Sequence, residues 1–88
     1  MDNETIKVYG TDWCGDCFRA KTLLDKHQID YQWINIDNDH EAKETVRQVD
    51  KGAIVVPTII FQDGPVLTEP TNNQLRRKIW YRVKKSTR

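Results

Sequence analysis

The pattern of apolar and polar positions opens with Thr5-Ile6-Lys7-Val8-Tyr9, an alternating run of β-formers that predicts a first strand. Gly10-Thr11-Asp12 interrupts it. From Cys17 the period changes. Cys17, Ala20 and Leu24 recur at helical spacing and Leu23 widens the stripe, so a helix is expected to run to about His27 or Gln28. Tyr31-Gln32-Trp33-Ile34-Asn35-Ile36 predicts a second strand. Asp37-Asn38-Asp39 then offers caps for a second helix. Ala42, Val46 and Val49 give that helix a narrow apolar stripe, and Gly52 is placed to stop it.

The most apolar run is Val55-Val56-Pro57-Thr58-Ile59-Ile60-Phe61-Gln62, with a third strand predicted from Thr58. Asp63-Gly64 is a hairpin signal. Pro65-Val66-Leu67-Thr68 follows as a short fourth strand, which Pro65 keeps near an edge. Thr71 or Asn72 can cap a third helix whose inward positions are Leu75, Ile79 and Val83, with Trp80 at the margin. Residues past Lys84 are expected to fray. The strand–helix–strand start makes the first two strands parallel with a right-handed crossover, and the hairpin makes the last two antiparallel. The expected architecture is α/β, one domain over residues 1–88 with a core at about 5–83.

Composition narrows the class. Eighty-eight residues leave room for one thin core. No run approaches the length of a membrane span. Met1-Asp2-Asn3-Glu4 lacks the basic and apolar regions of a signal peptide. A cytoplasmic location is therefore expected, and there a cysteine pair serves catalysis or metal binding more often than crosslinking. The net charge of +1 hides an asymmetry: residues 76–88 carry +7 and the first 75 residues carry −6. A basic end can mark a nucleic-acid or acidic-partner contact. A solvated face of the last helix, its cations suited to the negative end of the helix dipole, is the preferred reading. Tyr9, Trp13, Tyr31 and Trp33 lie far from the basic run, so they do not interleave with it as a base-stacking platform would. Trp80 and Tyr81 do sit within it, where packing of the helix is the commoner reason for them.

The two cysteines change the picture most. Trp13-Cys14-Gly15-Asp16-Cys17 lies where a strand ends and a helix begins. Free N–H groups and the positive end of the helix dipole favour a thiolate at Cys14, which makes it the candidate nucleophile. Cys17 lies one turn later and is placed to resolve a mixed disulfide on Cys14. Gly15 allows close approach of a substrate. Trp13 offers a flat contact beside the sulfur, or simple rim packing. Asp12 and Asp16 bracket Cys14 and oppose a further negative charge, which Arg19 and Lys21 partly offset. A disulfide across two intervening residues closes almost no loop, so a purely structural role has little to offer. A zinc site needs about four ligands, and Cys14, Cys17, His27 and His40 form the only soft set, at spacings of no common finger. No metal site is assigned.

With Val56-Pro57 downstream of this motif and before the third strand, the chain resembles the glutaredoxin family of the thioredoxin superfamily over about residues 5–83. Within it, the cysteine motif and Asp63-Gly64-Pro65-Val66-Leu67-Thr68-Glu69-Pro70 are most similar to the mycoredoxins of actinobacteria and to the NrdH-type redoxins that serve ribonucleotide reductase. The resemblance implies a thioredoxin-like fold: a four-stranded mixed sheet in order 2-1-3-4 flanked by three helices. It implies that Pro57 is cis and faces the dithiol, with the Val56 backbone free to bind an extended substrate. Typical members hold the γ-glutamyl end of glutathione with a Gly-Gly pair and an acidic cap before the last helix. Here that region reads Leu67-Thr68-Glu69-Pro70-Thr71-Asn72, and Glu69 would repel a carboxylate. Thr68 and Thr71, at the approach to the last helix, remain candidate substrate contacts, since a helix N-terminus can bind an anionic group.

The expected function is thiol–disulfide exchange by a monomer through Cys14 and Cys17, on protein disulfides or mixed disulfides, with no bound cofactor. Mycothiol, bacillithiol or glutathione is the expected co-substrate, the first two fitting as well as or better than glutathione, and a flavin-dependent reductase of the thioredoxin-reductase kind is an alternative donor. Two other classes compete. One is a binding protein holding a [2Fe–2S] cluster between two protomers. The other is an adaptor that uses its basic end.

Overall fold

The computed structural model describes residues 6–62 and 64–86, with side chains as far as Trp80. Three layers form around a four-stranded sheet. The elements are β1 (Ile6–Gly10), α1 (Gly15–Lys26), β2 (Gln32–Asn35), a 3-10 turn (Ile36–Asn38), α2 (His40–Val49), β3 (Thr58–Phe61), β4 (Val66–Thr68) and α3 (Asn72–Ser86). The strand order is β2-β1-β3-β4. β1 runs parallel to β2, with Val8 beside Trp33, and antiparallel to β3, with Val8 opposite Ile59. β3 runs antiparallel to β4, with Ile59 opposite Leu67. The element order, the parallel first pair and the antiparallel last pair are those that the sequence pattern predicts, and the strand order is the thioredoxin-like one that the resemblance to the glutaredoxin family implies.

Strand alternation divides the core in two. Ile6, Val8, Ile59 and Phe61 meet Ala20, Leu23 and Leu24 of α1 and Leu75 and Ile79 of α3 on one face. Tyr9 and Ile60 point the other way, toward Ile36 and the Ala42 and Val46 stripe of α2. The helical spacings read from the sequence are thus the buried faces, except that Val49 is only half-buried. The side chain of Val83, the turn residue Asp63, Thr5 at the expected start of the first strand and residues 87–88 of the expected frayed end lie outside the described residues. α3 extends to Ser86.

Several boundaries differ from expectation, each for a local reason. α1 starts at Gly15, before the first inward apolar residue, because Cys14 caps it. β2 stops at Asn35, and Ile36 is buried from a 3-10 turn instead of a strand. The Asn35 side chain starts that turn by accepting the Asp37 N–H at 2.9 Å. Asp39 is the residue among the expected caps that closes the first turn of α2, accepting the Ala42 N–H at 3.0 Å. α2 ends with paired bonds from Lys51 N–H to the Gln48 carbonyl and from Gly52 N–H to the Arg47 carbonyl. Lys51 holds the left-handed position directly beyond the cap, at φ +59°, and Gly52 follows at φ +101°. α1 ends in the same way, with Gln28 at φ +58° and Ile29 N–H on the Leu24 carbonyl at 2.9 Å. Buried Ile29 then anchors the motif to the core.

Gly10 joins this frame to the dithiol. A Cβ added there would collide with Cys17 Sγ and would lie 2.7 Å from the Trp33 ring. Cys17 is fully buried on a helix, so it has little room to yield. Gly10→Ala should therefore lower stability by about 1–3 kcal/mol, read from the urea midpoint of unfolding.

Candidate active site

The connection from β1 to α1 carries Trp13 and Cys14 out to the rim. Cys14 has an extended backbone, φ −94° and ψ 115°, and occupies the N-cap of α1. Its sulfur accepts the Cys17 N–H at 3.2 Å. The position usually filled by a Ser or Asp oxygen is thus filled by a nucleophilic sulfur, at the positive end of the helix. The same sulfur lies 3.9 Å from the Val56 carbonyl oxygen. The Val56-Pro57 peptide bond is cis, and Val56 precedes the β3 ladder, which begins at Thr58. Cys14, Val56 and Pro57 are therefore brought to one place from opposite ends of the chain.

An open groove of about 510 Å³ surrounds Cys14, lined by Trp13, Asp16, Ile54, Val56 and Glu69 among others. Trp13 is 74% exposed, so it does not serve as core packing. Its indole N–H donates to the Asp37 carboxylate at 2.9 Å, which orients the ring. Thr68 and Thr71 are not among the residues that line this groove. The Thr68 hydroxyl donates to Asp50 at 3.0 Å. Thr71 forms a reciprocal cap with Gln74: its hydroxyl accepts the Gln74 N–H, and its own N–H donates to the Gln74 side chain.

Cys17 lies behind Cys14, and both cysteines are free thiols. Burial pushes the Cys17 thiol up to about 12, and a hydrogen bond with Cys14 adds to the rise. A backbone hydrogen bond from Thr11 and the charge of Lys21 act in the opposite direction. The Lys21 ammonium is held over the Trp33 ring, 3.8 Å from its centroid. Asp16, which the sequence marks as a burden on Cys14, pairs with Arg19 at 3.0 Å. Arg19 also donates to the Asn72 side chain at 2.8 Å, tying α1 to the start of α3. No three His, Cys, Asp or Glu side chains among the described residues converge to hold a metal ion. No described helix is long and apolar enough to cross a membrane.

Three contributors escape the sequence reading. Asp37 was weighed only as a helix cap, yet it holds Trp13 from 24 residues away. Ile54 was given no role and lines the groove. Gly10 was read as a strand breaker and packs on Cys17. Only Gly10 left a signal, a glycine at a strand end facing a helix with small residues.

A thioredoxin-like sheet with a helix-capping Cys-x-x-Cys beside a cis-proline defines the thiol–disulfide oxidoreductase class. Residues 6–66 match the glutaredoxin family model, and the chain belongs to the glutaredoxin family. It is 39% identical over 79 residues to mycoredoxin 1 of Corynebacterium glutamicum, covering 90% of this chain and 95% of that protein. A Mycobacterium tuberculosis protein described as a glutaredoxin is 37% identical over 79 residues, covering 90% of this chain and 94% of its own. Among solved structures, the glutaredoxin-like NrdH-redoxin from Escherichia coli superposes with a TM-score of 0.71 at 25% identity, over 83% of this chain and 92% of that one. The family acts through thiol–disulfide exchange.

The raised Cys17 thiol has a consequence for stability. The folded protein keeps this proton above pH 9.0, where an ordinary cysteine releases it, up to about pH 12. Its contribution to stability is therefore intact below pH 9.0 and is lost as the pH climbs toward 12. Urea titrations at pH 8, 9, 10 and 11 should show stability falling above pH 9, and Cys17→Ala should flatten the slope.

Proposed function

We propose that the protein reduces protein disulfides, or mixed disulfides between a protein and a low-molecular-weight thiol, with Cys14 as nucleophile and Cys17 as resolving thiol. The observation that carries this reading is the Cys14 sulfur itself. It caps α1, faces an open groove and lies beside the Val56 carbonyl, with Cys17 buried one turn behind. In the first step the Cys14 thiolate attacks one sulfur of the substrate disulfide. A Cys14–substrate disulfide forms and the other substrate sulfur leaves as a thiolate. In the second step Cys17 attacks the Cys14 sulfur, its proton goes to the departing thiolate, and a Cys14–Cys17 disulfide remains. Two electrons have passed from the dithiol to the substrate.

Trp13, fixed by Asp37, supplies a flat wall for the incoming chain, and the Val56 backbone supplies polar contacts for an extended one. Mycothiol, bacillithiol or glutathione serves as co-substrate in this reading, releasing the adduct on Cys14 or returning electrons to the disulfide. A flavin-dependent reductase of the thioredoxin-reductase kind is the alternative donor. Glu69 in the groove favours mycothiol, which carries no carboxylate, over glutathione and bacillithiol, each of which carries two. A cytoplasmic, monomeric protein fits this role.

The test is a pair of cysteine variants. Cys14→Ser should lose turnover on every disulfide, by about a thousandfold or more, as expected for removal of a nucleophile. Cys17→Ser should keep activity on mixed disulfides and lose it on protein disulfides, because a second small thiol can replace the resolving sulfur only in the first case. Full turnover by Cys14→Ser would remove Cys14 from this role. Offering the reduced protein mixed disulfides of glutathione, mycothiol and bacillithiol, with thioredoxin reductase in parallel, should rank mycothiol first.

A further inference from the structure

Glu69 is the one carboxylate lining the Cys14 groove that forms no ion pair among the described residues, the nearby Arg19 being paired with Asp16 and reaching only the carbonyl of the adjacent Pro70. It follows β4 on the turn into α3, and its backbone sits at φ +49°, a region that residues other than glycine seldom adopt. The turn is fixed by its N–H, which donates to the Pro57 carbonyl at 2.8 Å. Glu69 is thereby pinned to the same segment that presents Val56 to Cys14. Glu69 lines the groove together with Trp13 and Ile54. Asp16, the other acid in the lining, is paired with Arg19. Among the described residues no lysine or arginine lines the groove, and Glu69 forms no ion pair. Glu69 thus adds a carboxylate without an ion pair to the lining of the groove that holds the Cys14 sulfur.

We propose that Glu69 sets the charge preference of the Cys14 groove, favouring disulfides that carry a protonated amine or guanidinium close to the attacked sulfur and rejecting those that carry a carboxylate there. The inference rests on the reductase reading above and adds the substrate class. The attack is the step already described: the Cys14–sulfur bond forms and the substrate S–S bond breaks. Only the arm beside that bond differs. A cationic arm is drawn toward Glu69 as the sulfur reaches Cys14, and an anionic arm is pushed away.

Three small disulfides of similar size separate charge from shape: cystamine, bis(2-hydroxyethyl) disulfide and 3,3′-dithiodipropionate. Reduced protein, freed of reductant, is mixed with each at pH 7, and loss of the protein's own thiols is followed in acid-quenched samples over a single turnover. Each rate is divided by that of 1-thioglycerol, a neutral thiol that differs from all three products, on the same disulfide, which removes differences in intrinsic reactivity. The wild-type protein should favour cystamine over dithiodipropionate by about tenfold or more, with the neutral disulfide between them. Glu69→Gln should compress that ratio to within about twofold, and Glu69→Lys should reverse it. Adding 0.5 M NaCl should compress the wild-type ratio as well. Far-UV circular dichroism checks that both variants are folded.

Two mixed-disulfide peptides, with Lys or Glu next to the cysteine, locate the source of the cation. A preference larger than among the small disulfides assigns it to a protein client, and a smaller one to a low-molecular-weight thiol. Either supports the role of Glu69. A wild-type ratio that persists in both Glu69 variants, or the absence of any charge preference, overturns it and leaves the reductase reading standing. Failure of the wild-type protein to react with any of these disulfides overturns both.

Discussion

The contact between the Cys17 N–H and the Cys14 sulfur governs the rest of the site. An N-cap fixes where a helix begins, and losing one typically costs about 0.5–2 kcal/mol. Here the cap is also the sulfur that faces the groove, so its position is set by the same bond that starts α1. That bond explains why the helix begins at Gly15, ahead of its first inward residue. It also fixes the depth of Cys17, whose sulfur then falls against Gly10 of the central strand. A side chain at Gly10 would displace the helix start, and with it the distance between Cys14 and the Val56 carbonyl. Folding and chemistry share one constraint.

Electrostatics around this cap are arranged by pairing more than by excess charge. Asp16 lies in the first helical turn, where an acid suits the dipole but burdens the sulfur. Arg19 answers it at 3.0 Å and continues to Asn72, so the neutralising group also joins α1 to α3. Both partners are substantially exposed, and an ion pair of that kind contributes only about 0–1 kcal/mol to stability. Its value is local: it removes one negative charge from the surroundings of Cys14. Asp37 accepts the Trp13 indole N–H, a neutral donor that orients the ring without cancelling the carboxylate's charge. Glu69 lines the groove and forms no ion pair among the described residues.

Much of this was legible in the sequence because it depends on periodicity and local chemistry. The alternation of Ile6 to Tyr9 and the helical spacings of Ala20 and Leu24, Ala42 and Val46, and Leu75 and Ile79 mark the faces that are buried. Cys14 and Cys17 carry their own spacing. What escaped depends on contacts between distant segments or on backbone geometry that residue type does not announce. Lys51 and Gln28 take left-handed positions usually assigned to glycine, because hydrogen bonds at the helix ends and the burial of Ile29 outweigh a local cost of about 1 kcal/mol. Thr68 and Thr71 stand at the expected approach to the last helix. Their hydroxyls, however, are engaged by Asp50 and by the Gln74 N–H, partners that only the folded chain, or a capping pattern, reveals.

The order of events at the dithiol follows from the causes of the Cys17 shift. A thiol pushed this far up by burial and by Cys14 is held protonated at pH 7. In the resting protein Cys17 is therefore a poor competitor for any incoming disulfide, and its burial excludes such a substrate as well. Two of the effects that raise it, the hydrogen bond and the charge interaction with Cys14, depend on a free Cys14 sulfur. Both are removed once Cys14 is tied into a mixed disulfide. The backbone hydrogen bond from Thr11 and the charge of Lys21, which favour a Cys17 thiolate, do not involve Cys14. Adduct formation thus shifts the balance at Cys17 toward the reactive form at the moment a resolving sulfur is needed. Burial, the largest cause, persists, so resolution remains slower than for an exposed thiol.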